Sequence, residues 1–129
     1  MASIFTRIIE GEIPCYKIAE NDKFIAFLDI LPVAKGHCLV VPKKEIDFIF
    51  DLPQEELQEI NLFAKEVARK LKAVIPCKRI GISVIGLEVP HAHMHLIPIN
   101  ELGDMNFQKE RLKFTEQEYL ELVQQIQNA

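Results

Sequence analysis

The segment His91–Ile99, HAHMHLIPI, constrains this chain more than any other stretch. It sets His91, His93 and His95 at every second position of an apolar run, and these are three of only four histidines in 129 residues. Successive side chains of a β-strand point to opposite faces, so the alternation predicts a strand with all three imidazoles on one face. Ala92, Met94 and Leu96 then occupy the other face, which reads as core. Along such a strand neighbouring imidazoles stand about 7 Å apart and the outer pair about 14 Å. Clustered imidazoles are costly to bury without partners, which favours a functional site over three ordinary histidines of an edge strand.

Two classes of chemistry fit the pattern. Two neighbouring imidazoles can converge on a zinc ion with ligand distances of roughly 2 Å, but three along a straight strand need a bend or an outside ligand such as His37. The other class is nucleophilic or acid–base. A central imidazole attacks phosphorus or a carbonyl once a hydrogen bond to one nitrogen fixes its tautomer, while flanking rings orient it, pass protons or hold an anion.

The rest of the chain narrows the setting. Its length suits one domain over 1–129 with one hydrophobic core. No apolar run reaches the eighteen or so residues of a membrane span. Arg7, Glu10 and Glu12 interrupt the N-terminus where a signal peptide needs an apolar stretch. Three separated cysteines, Cys15, Cys38 and Cys77, make neither a disulfide framework nor a zinc knuckle and fit a reducing compartment. The expectation is a soluble cytoplasmic protein without a membrane partner. A net charge of −4, with acids and bases mixed, offers no broad basic surface for a nucleic-acid polymer. A small nucleotide remains compatible.

The pattern along the chain predicts an α+β architecture with a five-stranded antiparallel sheet. Strands are expected at 15–20, 23–30, 37–44, 79–86 and 91–99, with Asn21 and Asp22 turning the first pair. Between Pro53 and Val74, apolar residues recur at three- and four-residue steps, which predicts one long amphipathic helix. A short helix is expected in SIFTRII. The segment 101–129 reads as a tail: irregular to 113, then a helix announced by a Thr115–Glu118 capping box and a Phe114–Tyr119 staple.

At this point the residues resemble a known family. HAHMHLI fits the His-φ-His-φ-His-φ-φ signature of the histidine triad (HIT) proteins. IFTRIIEGEIP and FIAFLDILPVAKGHCLVVPKKEI are similar to the N-terminal half of its nucleotide-binding branch, and together the resemblance spans 4–46 and 78–99. It implies a homodimer whose two sheets join, and a purine nucleotide site on each subunit. It implies that His93 attacks the α-phosphorus of a nucleotide conjugate, a phosphoramidate or dinucleoside polyphosphate, to form a nucleotidyl-histidine that water hydrolyses. His91 would hold His93, His95 would contact the phosphate or leaving group, and His37 would support the hydrogen-bond chain. Asp29 would accept from the ribose hydroxyls, which suits an acceptor-only carboxylate. Phe27 and Ile30 would line the base pocket. Neither a metal nor a cofactor is implied.

The sequence departs from that pattern just before the triad. SVIGLEVPHAH carries one glycine, Gly86, then Leu87 where glutamine is expected and Glu88 where serine is expected. Leucine cannot donate to a phosphate oxygen. A carboxylate beside an anionic phosphate repels it unless it points away, is protonated or serves the leaving group. Glu88 is therefore a candidate site residue of uncertain sign, and Lys43 and Lys44 are candidate positive charges near the cleft. Two further readings stay open: a nucleotide-binding module with little catalysis, and a histidine metal site.

Overall fold

The computed structural model describes residues 2–129. In chain order the elements are α1 (Ile4–Ile9), β1 (Lys17–Glu20), β2 (Phe24–Leu28), β3 (Cys38–Pro42), α2 (Gln54–Val74), β4 (Arg79–Ser83), β5 (Met94–Ile99) and α3 (Glu116–Gln127), with single 3-10 turns at Ile49–Asp51 and Leu102–Met105. The strands pair antiparallel in the order β1-β2-β3-β5-β4. This is the expected α+β class with a five-stranded sheet and one long helix.

The sheet separates two apolar layers of different size. On one face Ala26, Leu28, Val40, Met94 and Leu96 meet Ile60, Ala64, Val67 and Leu71 of α2 and Tyr119, Leu122 and Ile126 of α3. On the other face Ile25, Phe27, Leu39 and Val41 form a smaller cluster with Phe5 of α1. β2 and β3 are buried along their whole length, as strands covered on both faces are. The smaller cluster shares its face with the histidines, so the site sits on the side of the sheet away from the two long helices.

Local chemistry explains the ends of the elements. Asn21 Oδ1 accepts from the N–H groups of Lys23 and Phe24, closing the β1–β2 turn. Thr115 and Glu118 form the expected capping box. Phe114 packs edge-on to Tyr119, which in turn stacks on Tyr16 of the first hairpin. The tail helix therefore helps complete the hydrophobic core.

Every strand is shorter than expected, and the largest differences are at two boundaries. β4 stops at Ser83, and β5 begins only at Met94, so His91 and His93 precede the strand. The cause is backbone hydrogen bonding. The N–H of His91 turns back to Val89 O (2.8 Å), and that of Ala92 goes to Ile46 O (2.7 Å), outside the ladder. Lys43 and Lys44, just after β3, pair with Glu20 (2.9 Å) and Glu56 (2.7 Å).

The core assignment has a direct check. Leu71 is fully buried, so Leu71→Ala is expected to cost about 2–5 kcal/mol in urea unfolding. Thr115→Ala, which removes only the cap, is expected to cost about 1 kcal/mol.

Candidate active site

The four imidazoles come together, although not along one straight strand. His95 stands on β5 opposite Leu39, and the turn Asp29–His37 brings His37 beside it on the same face. Gly36 makes this turn possible. Its φ is +89°, and an added Cβ would lie 3.0 Å from Ile75 Cγ1 and 3.2 Å from Pro98 Cγ.

The direction of each hydrogen bond can be read from groups that can only donate or only accept. The N–H of Val33 donates to His37 Nδ1 (3.0 Å), so the proton of a neutral His37 is on Nε2. That Nε2–H donates to His95 Nδ1 (2.9 Å), which leaves the proton of His95 on its Nε2. The carbonyl of His91 accepts from His93 Nδ1 (2.7 Å), so a neutral His93 has its lone pair on Nε2. Pro42 O accepts from His91 Nε2 (2.8 Å), and His91 Nδ1 then accepts from the Ser3 hydroxyl (2.7 Å).

Six of the eight imidazole nitrogens thus have protein partners. His93 Nε2 and His95 Nε2 have none among the described residues, yet no buried side-chain nitrogen or oxygen lacks a partner, so both are open to solvent. The rings of His93 and His95 lie 5.0 Å apart. A nucleophilic lone pair and a hydrogen-bond donor are therefore presented side by side.

His93 is held by the carbonyl of His91; the His91 ring serves as an anchor. Behind it, Ser3 Oγ accepts from Thr6 N (3.0 Å), and the Glu45 carboxylate accepts from the Ser3 N–H and from the Thr6 hydroxyl. Phe5 packs edge-on against the rings of His91 (5.8 Å) and His93 (4.9 Å). This clamp escaped sequence reading. Ser3 caps α1, and its bond to His91 spans 88 residues.

Burial, with Arg111 nearby, pushes the pKa of His37 down to about 3. Burial, followed by the neighbouring His37 and His93, does the same to His95, also to about 3. Both rings are neutral at physiological pH, as their hydrogen bonds require.

The remaining candidates are placed as follows. Asp29 is partly buried, with Oδ1 accepting from Leu31 N (2.8 Å) and Oδ2 lying 3.5 Å from His37 Nε2. Tyr119 fixes it from behind by donating to the Asp29 carbonyl (2.9 Å). Ile30 follows it and is 68% exposed, free to meet a ligand. Phe27 is buried against Phe5 in the smaller core cluster. Leu87 and Glu88 are exposed on the loop before the triad. His93 also borders a cleft of about 450 Å³ whose walls include Phe48, Phe50, Ile82, Ile85 and Gly86. Asp29 and Ile30 are not on its walls, so the histidine row separates a polar flank from an apolar one.

The chain belongs to the histidine triad family. The HIT domain model matches residues 10–102. An uncharacterized HIT-like protein of Mycoplasma genitalium is 38% identical, over 97% of this chain and 94% of its own. The adenosine 5'-monophosphoramidase HNT1 of Saccharomyces cerevisiae is 40% identical over 75% of this chain and 62% of its own. Among solved structures, a zinc-bound histidine triad family protein from Mycobacterium smegmatis superposes with a TM-score of 0.83 at 25% identity, covering 99% of this chain and 94% of that one.

Asp29, His37 and His95 offer ligand atoms within 4.8 Å of one another. As hydrogen-bonded here, they do not fit a metal. Val33 fixes the His37 proton on Nε2, facing the cluster, and His95 Nδ1 accepts that proton. A cation would have to displace it and leave the Val33 N–H opposed by another donor.

The two depressed pKa values carry a sign. An unfolded histidine takes up a proton below about pH 6.5 whereas these folded rings resist to about 3, so their contribution is complete above pH 6.5 and lost progressively as pH falls towards 3. Urea unfolding at pH 7 and pH 5 is expected to show a smaller drop for His37→Gln than for wild type, by about 2 kcal/mol.

Proposed function

We infer that this protein is a nucleotide hydrolase that cuts purine nucleotide conjugates at the α-phosphate through His93. The observation that carries the reading is the pair of open nitrogens, a His93 lone pair beside a His95 N–H. Adenosine phosphoramidates are the substrate class of choice, in keeping with the 40% identical monophosphoramidase of Saccharomyces cerevisiae.

In the first step His93 Nε2 bonds to phosphorus as the bond to the leaving amine breaks. The amine leaves with a proton taken up on its nitrogen from solvent, and the Nε2–H of neutral His95 is in place to donate a hydrogen bond to it or to a phosphate oxygen without giving up its proton. In the second step water adds to phosphorus and gives a proton to solvent, the P–N bond to His93 breaks to return the neutral ring, and a nucleoside monophosphate leaves. Asp29 would accept from the ribose hydroxyls, with Ile30 and the Phe27–Phe5 pair towards the base. Glu88 extends from an exposed loop, where it can meet a leaving group without contacting the histidines.

The working unit of this reading is a homodimer with a continuous sheet. β4 lies at the sheet edge, and Phe48, Phe50, Leu62 and Ile82 are exposed apolar side chains in this half of the molecule. Ile82→Lys is expected to shift the mass in light scattering from dimer to monomer.

The activity is tested with a fluorogenic adenosine phosphoramidate in the presence of a chelator. Wild type should turn over, and His93→Ala should lose at least about a thousandfold in kcat. A nucleotide-binding module with little catalysis is the second reading, favoured by Leu87 and Glu88, which bring no side-chain donor to the phosphate. Adenosine monophosphate binding without turnover by wild type would select it.

A further inference from the structure

The segment after β5 reaches back over the histidine row. Phe107 presents its ring edge-on at 4.8 Å from the ring of His95 and 6.0 Å from that of His37. Arg111 lies over the same benzene ring, with its guanidinium carbon 5.7 Å from the centroid. The guanidinium is pinned by two carbonyls, Leu31 O (2.6 Å) and Phe107 O (3.0 Å), and Leu112 N donates to Pro32 O (2.9 Å). No carboxylate among the described residues lies within ion-pair distance of Arg111. A fixed, uncompensated cation and an aromatic cover therefore meet at the two histidines that form the relay. Phe107, Arg111 and Leu112 lie beyond residues 10–102, the stretch that carries the family match.

We propose that residues 106–112 form a strap over the histidine relay, in which Phe107 and Arg111 are positioning residues that hold His37 and His95 in the tautomers that aim the His95 N–H at the substrate. The chemistry follows from the direction of the bonds. The relay runs Val33 N–H to His37, His37 Nε2–H to His95, and His95 Nε2–H outward. An added proton on either ring sets two donors face to face and breaks one of these bonds. Water at the pair would stabilise such a proton, and Phe107 keeps water from that side. A cation alongside disfavours it further, and Arg111 is that cation. The charged and titratable groups facing the pair are Asp29 after β2, His93 before β5 and Arg111 on the strap. Asp29 acts in the opposite sense on His95, which gives the strap a charge to oppose.

The inference rests on the reading of His95 as a donor, but its test does not need turnover. Imidazole nitrogen spectra of the full-length isotope-labelled protein, recorded from pH 8 down to pH 4.5, report the tautomer and charge of each ring. In wild type, His37 and His95 should remain neutral with the proton on Nε2 across the range. In Phe107→Ala at least one of them should take up a proton within it, and adding Arg111→Met, which keeps the aliphatic length, to that variant should raise the titration of the same ring by about one further pH unit, a tenfold change in proton affinity. Arg111→Lys in place of Arg111→Met should return the titration to that of Phe107→Ala alone. If both variants keep their amide spectra and both rings stay neutral throughout, the strap is only packing and the proposal is wrong. Phosphoramidate turnover, measured alongside, separates this failure from that of the enzymatic reading, since a wild type without turnover would leave the titrations unchanged.

Discussion

The site depends on the pairing of β3 with β5. Only three residue pairs make this contact, Cys38 with Leu96, Leu39 with His95 and Val40 with Met94. They determine which side chains of β5 face the helices and which face the small cluster with Phe5. A slip of one residue would send His95 into the layer beneath α2 and bring Leu96 to His37. The register is protected by the burial of β3 and of Met94–Pro98 in β5, so the larger hydrophobic layer holds the polar one in alignment.

The four histidines are chemically unequal because each meets a different one-way partner. A backbone N–H can only donate and a carbonyl can only accept, and these groups settle the proton positions in the ring system. His37 begins from Val33, His93 ends on the His91 carbonyl, and His91 is held between Pro42 and Ser3. The main chain thus makes a lone pair at one ring and an N–H at the next without needing a charged residue in contact with either open nitrogen.

Much of this was legible in the sequence, and for physical reasons. The long helix repeats its apolar positions over 21 residues, and the tail helix carries a local capping box, so both are readable from neighbouring residues. The five strands and the gathering of His37 with the triad could also be read, the latter through the family resemblance. The path of residues 91–93 could not. It depends on Ile46, which takes the N–H of Ala92 and draws the chain off the ladder. Ser3 and Arg111 were hidden for a similar reason. Their partners lie 88 and 80 residues away in sequence, and nothing in a polar stretch such as GDMNFQKERLK marks Phe107 as a cover for imidazoles.

Ser3, Phe5 and Thr6 behind His91, and Phe107 and Arg111 above His95, flank the span shared with the family model. The common domain supplies the reactive rings, while the flanking segments supply the walls that hold them. Grafting the flanks of one relative onto the domain of another would therefore change the surroundings of the imidazoles with every histidine left in place.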